Sequence, residues 1–471
     1  MKKIRLLCLL LGILMLLSSC SSVYVDPPEP TANPDATSPV TVEEGDEYYT
    51  SGKAKNYGNM QYGFLFGDYW LYRETQYYKE LADTSQNGTK IYNTKIATRL
   101  VKINTATGSV SSLCLDPVCN HSPGSSCAFI APDKGQICIS SVVGDWIVIE
   151  KAENDSVYGM ISETFAYNPI SGERHDILVN EYGETSVTKW IGKAVFENRL
   201  YSIRMHMDYS KTGYVPGGNK PMSDFEPETV NVLSYYDFDS HTSEDLFEIP
   251  DGYRTSAVTN KRFFFKTPEG DIVSCEYNGK DMVKEDVIDF SPENSIGTFA
   301  YLLNTNGFDR YNIKTNTKTS FELPFTAYQY PTFTNSGIIY DTFTSIDEWN
   351  GMGKGFKQFM KEHPELSSEE ARAAYDDLMN EVKYNCKAQI WRSDFEGGNL
   401  ELIFEKENAV IHTICGNDSY VFGFVFLGDP DNGFKELPYE NDGRSMINLA
   451  TGEITPIPYL DLVDDYDILG D

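Results

Sequence analysis

Three cysteines and a histidine fall within fourteen residues in "SLCLDPVCNHSPGSSCAFI", which begins at Ser112. The spacing is Cys114-x4-Cys119-x-His121-x5-Cys127, with Cys138 eleven residues further on. Asp116-Pro117 and Pro123-Gly124 fold the segment back on itself. Three thiolates and an imidazole suit a tetrahedral zinc centre, which would be structural because four protein ligands leave no open position. Disulfide bonding is the competing expectation in an oxidising compartment. Leaving aside Cys8 and Cys20, seven cysteines remain (114, 119, 127, 138, 275, 386 and 415), an odd number that internal pairing cannot satisfy. Zinc, disulfide and free thiols all stay open here. A catalytic Cys–His pair is a poor fit, because hydrolytic partners usually lie far apart in sequence.

Other chemistry is sparse. The chain contains no His-Glu-x-x-His, Gly-x-Ser-x-Gly or Walker sequence. Histidines 175, 206, 241, 363 and 412 read as ordinary surface, turn or core residues. Aromatic residues make up 13% of the chain. Trp190, Tyr209, Tyr214 and Trp349 lie in or beside irregular segments, where flat faces can stack on a glycan or peptide. The formal net charge of −31 repels nucleic acid, so no nucleic-acid partner is expected.

The elements that must hold these residues recur along the chain. A strand repeatedly runs into Asn or Asp, and four residues later comes a type that tolerates a left-handed backbone. The pairs are Asn104/Gly108, Asn168/Gly172, Asp237/His241, Asn312/Asn316, Asp394/Gly398 and Asn448/Gly452. Upstream of most of them a polar turn opens an aromatic strand, as in "GDYWLY" from Gly67 and "NKRFFFK" from Asn260. Two hairpins per unit make a four-stranded blade. The expectation is therefore an all-β propeller of about seven blades, with six or eight possible. Units begin near Tyr62, Cys138, Trp190, Ser256, Ile296, Thr332 and Ile411. Three insertions interrupt the repeat: a polar stretch at 74–98, a loop at 204–230 and a helix near 356–385. Ser367 and Glu370 form a capping box for that helix. Its apolar stripe is Ala371, Ala374, Tyr375, Leu378, Met379 and Val382, expected to pack on its own domain.

The N-terminus supplies an address. Lys2, Lys3 and Arg5 precede an apolar run from Leu6 to Leu17, too short to span a bilayer, which takes about 20 residues. Leu17-Ser18-Ser19-Cys20 then resembles a bacterial lipobox. Residues 1–19 read as a lipoprotein signal peptide, 20–48 as a lipidated cysteine with a Pro-rich disordered tether, and 49–471 as the propeller body. The expected location is the extracytoplasmic face of the membrane, held by lipid on Cys20.

Together, the lipobox, "LCLDPVCNHSPGSSCAF" and the hairpins resemble lipoproteins of anaerobic Gram-positive bacteria, similar to TolB-like or six-bladed-propeller-like families of unknown function. The family usually continues Cys-Pro-Phe where Cys127 is followed by Ala128-Phe129. The resemblance implies a cell-surface propeller and no particular activity. The functional expectation is recognition of a glycan or peptide without catalysis, the alternative being an extracytoplasmic glycan-active hydrolase or lyase. No cofactor is fixed by the sequence; structural zinc at the Cys/His cluster stays open, behind disulfide bonding. Replacing Cys20 with Ala is expected to abolish incorporation of labelled diacylglycerol, leaving precursor or released protein. Normal labelling of Cys20→Ala would refute the anchor.

Overall fold

A computed structural model describes residues 63–468 apart from 85–89, 120–126, 132–134, 156–158, 197, 219, 221, 259–261, 286–294, 297–298, 313–316, 329–330, 335–336, 353–354, 433–434, 437–442 and 461–466. The signal sequence, Cys20, the tether, Tyr62 and His121 lie outside the described residues. Among the described residues no helix is long and apolar enough to cross a membrane.

The described chain forms seven antiparallel sheets of four or five strands, taken up in sequence order. The first holds Gly63–Phe66, Tyr69–Thr84, Lys90–Asn104 and Val110–Ser112. The second holds Gln136–Val143, Trp146–Asp155, Gly159–Tyr167 and Arg174–Asp176. The third is built on Ser186–Phe196, Arg199–Asp208, Glu228–Asp237 and Thr242–Ile249. The fourth, fifth and sixth open with Arg254–Val258, Ser295–Ile296 and Thr332–Phe333, and the seventh runs from Ala409–Gly416 to Ile454–Pro456. The expected unit starts at Cys138, Ser256, Ile296, Thr332 and Ile411 each fall inside a sheet's first strand, and Trp190 falls in Ser186–Phe196, which follows the short first strand Glu181–Tyr182 of the third sheet. This is a propeller-like succession of meanders.

The recurring turns have a local cause. Asn104 Oδ1 accepts from the backbone N–H groups of Ala106 and Thr107 at 3.0 and 2.9 Å, and Gly108 takes φ 69°. Asn168 and Asn448 repeat the arrangement with Gly172 at 79° and Gly452 at 71°. Asp237 does the same, with His241 in the left-handed position at 54°. The Asp394 turn differs from expectation. Its positive-φ residues are Gly397 and Asn399, while Gly398 donates to Asp394 Oδ1 at 2.7 Å. Asn316 lies outside the described residues.

Two expected insertions are corrected. Residues 74–84 and 90–98 belong to one long ribbon, paired from Tyr69↔Asn104 out to Thr84↔Lys90. The stretch is polar but rich in Tyr, Thr and Ile, types that favour strands regardless of burial. Residues 204–230 are not all loop: Arg204–Asp208 pair with Glu228–Val232, leaving 209–227 as the connection. The helical insertion contains three helices, α1 (Ile346–Met352), α2 (Phe356–Glu362) and α3 (Ser368–Tyr384). The capping box is present, with Glu370 N–H donating to Ser367 Oγ at 3.3 Å and Ser367 N–H to Glu370 Oε2 at 2.9 Å. The buried stripe of α3 is narrower than expected. Ala371 and Tyr375 are buried and Tyr375 stacks near Phe356 and Phe359, whereas Ala374 and Leu378 face solvent.

Apolar clusters join most neighbouring sheets. Leu71 and Leu100 pack with Ile137 and Phe165, Val148 with Leu200 and Tyr236, and Phe196 with Phe263. Tyr301 packs with Tyr340, and Ile339 and Ile390 pack with Ile411. Trp70 and Ile103 of the first sheet share a cluster with Ile414, Phe422 and Met446 of the seventh. Beside that cluster, fully buried Glu74 accepts from Arg99 Nε at 2.8 Å and from Arg444 Nη1 at 2.6 Å. Leu460 N–H donates to the same carboxylate at 3.3 Å, and Leu460 C=O accepts from Arg99.

Glu74→Gln would strip the charge that two buried guanidiniums share. Breaking a buried pair costs about 3–5 kcal/mol. Urea unfolding is expected to show that loss in one transition for the whole body. A separate early transition, or an unchanged midpoint, would refute the coupling of first and last sheets.

Candidate functional site

The cysteine segment leaves the fourth strand of the first sheet. Leu113 N–H bonds Leu100 C=O at 3.2 Å, and Cys114 N–H bonds Ser112 Oγ at 3.1 Å. Asp116 builds the expected turn, accepting from Val118 N–H on Oδ1 at 3.0 Å and from Cys119 N–H on its carbonyl at 3.2 Å. The chain then returns along the first sheet: Leu100 N–H bonds Phe129 C=O at 2.9 Å and Ala131 N–H bonds Thr98 C=O at 2.8 Å. Phe129 lies 4.6 Å from the Tyr167 ring, and Tyr167 Oη donates to Leu113 C=O at 3.1 Å. The loop is thus clamped between the first and second sheets, and the Sγ atoms of Cys114, Cys119 and Cys127 all come within 4.8 Å of one another. All three stand as thiols.

Donors about 2.3 Å from a tetrahedral zinc are spaced by roughly 3.8 Å, so small rotations would suffice to close this triangle on an ion. Burial pushes the Cys127 thiol up to about 12, and the neighbouring Cys119 and Cys114 sulfurs add to it. Burial also raises the Cys114 thiol, again with a contribution from Cys119. Three thiolates this close repel unless a cation lies between them. The donor set therefore fits zinc, with His121 as the fourth ligand expected from sequence.

The four aromatic candidates do not gather. Trp190 is half-buried at the boundary of the second and third sheets, its Nε1–H donating to Val179 C=O at 3.0 Å. Tyr209 is buried and packs with Tyr214, Val187 and Met222 at the far end of the third sheet. Trp349 rests on Tyr328 and Phe343 beneath α1.

A further group was not singled out in sequence. Strand Ser186–Phe196 of the third sheet carries a bulge between Ile191 and Ala194. Buried Ser202 donates to the carbonyls of Gly192 at 2.7 Å and Ile191 at 3.3 Å, and Gly192 takes φ 65°. A bulge re-aims the side chain it carries. Lys193 consequently reaches Glu150 of the second sheet, Nζ to Oε1 2.5 Å, with 18% and 31% of the side chains exposed. Cys138 faces Glu150 across the strand pair. Burial first, and then Glu150, push the Cys138 thiol up to about 11, against the opposing influence of Lys193 and Arg73. A carboxylate, a lysine, a thiol and an arginine are therefore in electrostatic reach of one another. The available signal was Gly192 inside "KWIGKAVF", since a glycine within a strand marks a bulge.

No protein-family model matches the chain, and no curated protein does. Among solved structures, the chain is similar to the β-propeller domain of the Trilobed protease from Pyrococcus furiosus, at 10% identity, TM-score 0.34, over 84% of this chain and 98% of that one. It is also similar to an acylaminoacyl peptidase in complex with a chloromethyl ketone, at 10% identity, TM-score 0.38, over 79% of this chain. The chain spans about half of that peptidase, 51%. A third is oligogalacturonate lyase in complex with manganese, at 11% identity, TM-score 0.24, over 87% of this chain and 86% of that one. All three are enzymes or part of one. The expectation of recognition without catalysis gives way to its enzyme alternative; at these identities and TM-scores the likeness itself is one of fold.

Zinc loading at the cysteine triangle must expel thiol protons. At neutral pH about three protons are expected to leave per zinc, and affinity to fall steeply as pH drops. Without metal, the raised thiol pKa values work in the other sense. The unfolded chain ionises first above about 8.5, so apo stability is expected to decline as pH rises toward 12. Calorimetry in buffers of different ionisation heat, with thiol mapping, tests this. A mapped disulfide among the three cysteines, or rapid alkylation of all three in the presence of zinc, would refute the site.

Proposed function

We propose that this chain is a lipid-anchored, extracytoplasmic enzyme acting on glycans, a lyase before a hydrolase. The single observation that carries the reading is the Glu150–Lys193 pair, held by a bulge between two sheets, with Arg73 and Cys138 in reach. Glu150 is the proton acceptor. Lys193 and Arg73 are the cations that neutralise a substrate carboxylate and the negative charge developing beside it as the neighbouring proton leaves. Glycoside hydrolysis usually needs two carboxyl groups facing across the bond. One carboxylate among cations suits elimination from a uronic acid residue better: the C–H proton goes to Glu150 and its electron pair forms the new C=C bond. The glycosidic oxygen departs with a proton, which Lys193 can supply. Trp190, on the same sheet boundary, is the aromatic platform in this reading.

The body is a closed ring of seven blades. Support comes from the seven sheets in order, and from the Trp70–Phe422 cluster and Glu74 network between the last and the first. The Cys114–Cys119–His121–Cys127 knuckle is a structural zinc site, with the three converging sulfurs as its support. Cys20 tethers the whole to the membrane, in keeping with the resemblance to lipoproteins of anaerobic Gram-positive bacteria.

The test is a screen of the mature protein against polyuronates and neutral glycans. Ultraviolet absorbance of an unsaturated product is expected with polyuronates. Glu150→Gln should lower kcat by about 100-fold or more. Reducing ends without that absorbance would replace the lyase by a hydrolase. Binding with no product from any glycan would overturn the reading.

A further inference from the structure

His175 and His241 are 66 positions apart and belong to different sheets, yet their rings stack with centroids 3.9 Å apart and planes 11° from parallel. His175 sits on the last strand of the second sheet, and His241 closes the Asp237 turn of the third. Trp146 stands edge-on to both, at 5.3 and 5.2 Å. Glu173 Oε1 lies 2.8 Å from His175 Nε2, and Tyr236 Oη lies 3.1 Å from His241 Nδ1. One ligand atom from each of Glu173, His175 and His241 comes within 4.8 Å of the others, on a partly exposed surface.

We propose that Glu173, His175 and His241 form a second metal site, binding a late first-row divalent ion such as zinc, nickel or copper across the boundary of the second and third sheets. Two imidazoles and a carboxylate make a donor set that such ions prefer over magnesium or calcium. Neutral imidazole is the ligating form, and because the in-plane lone pairs of stacked rings run parallel, one of the two rings turns about its Cβ–Cγ bond to share the ion. The tautomer is fixed by its other nitrogen. With Nδ1–H of His241 donating to Tyr236 Oη, the Nε2 lone pair of His241 points free for an ion. Trp146 walls one side, while the exposed side leaves positions for water. An ion here would clasp the outer strand of one sheet to the hairpin of the next. The site differs from the cysteine knuckle in softness and exposure, and it does not depend on the glycan-active reading.

The test uses the mature chain with the cysteine knuckle pre-loaded with zinc, and Cu²⁺ as the probe. Titration is expected to give one saturable Cu²⁺, with nitrogen couplings from two imidazoles in its electron paramagnetic resonance spectrum. It should also raise Tm. His175→Gln and His241→Asn are each expected to weaken binding at least about tenfold and to remove one nitrogen coupling. Asn tolerates the left-handed backbone at 241, so that variant tests the ligand and not the turn. His363→Gln, on an exposed segment of the helical insertion, should leave both readouts unchanged. Absence of saturable Cu²⁺ binding by the wild type, or binding and couplings unchanged in both ligand variants, overturns the site.

Discussion

A single carboxylate with no exposure to solvent ties the beginning of the described chain to its end. Glu74 belongs to the first sheet, pairs across that sheet with Arg99, and meets Arg444 of the seventh and the backbone of Leu460. A meander sheet cannot bury both faces alone; each needs a neighbour on either side. The first and the last sheets would be left with one open face each unless they meet. Apolar packing of Trp70 on Phe422, with rings 5.7 Å apart, supplies the burial. The ion network adds what apolar contact lacks, a fixed register, because a buried charge displaced from its partners is expensive. The Arg444 guanidinium also lies over the rings of Tyr72 at 5.3 Å and Tyr459 at 4.4 Å, whose π faces favour a cation.

With the sheets held in order, departures from plain meander geometry acquire consequences. Strands Gln136–Val143, Ser186–Phe196, Arg254–Val258 and Ala409–Gly416 each carry a register shift, at Ile139/Ser141, Ile191/Ala194, Thr255/Ala257 and Thr413/Cys415. In the third sheet Ser202 holds the bulge; in the seventh, Asp341 of the preceding sheet does so through Thr413. A bulge can turn a side chain that would have packed within its own sheet toward a neighbour. Lys193 is the case with chemistry attached. Its ammonium is aimed at Glu150 by a serine hydroxyl and a left-handed glycine, two features that ordinary strand packing has no need of.

Legibility in sequence followed the range of the physics. The Asn/Asp turns could be read because the side chain bonds its own backbone two and three residues on, and nothing distant is required. The turn in the cysteine segment was equally local, because Asp116 accepts from Val118 and Cys119 N–H, although the return that brings Cys127 back is bonded to the first sheet. The stretch at 74–98 was misjudged because polarity was taken as a sign of interruption, when strand propensity does not require burial on both faces. Glu150 and Lys193 are 43 positions apart and depend on a bulge, so composition and spacing were silent about them. His241 was hidden by its own usefulness. Filling the left-handed slot where the other turns have glycine accounted for it, and nothing in the sequence said what else its ring would touch.

Excursions from the repeat also share a destination. The cysteine segment leaves the first sheet and lodges against the second, with Phe129 set on Phe165 and Tyr167. The helical insertion leaves the sixth sheet and packs toward the seventh, where Tyr384 crosses Gly428 so closely that a Cβ there would lie 2.3 Å from it. Trp146, His175 and His241 fill the corresponding space between the second and third. Neighbouring sheets twist relative to one another, so flat faces in contact at one end diverge at the other. A void there would forfeit dispersion contacts on both walls. Polar and ligating groups can occupy such a wedge because it opens to water, whereas the apolar contact deeper in would exclude them. The sites proposed above therefore lie where two sheets part, and each belongs to both sheets at once.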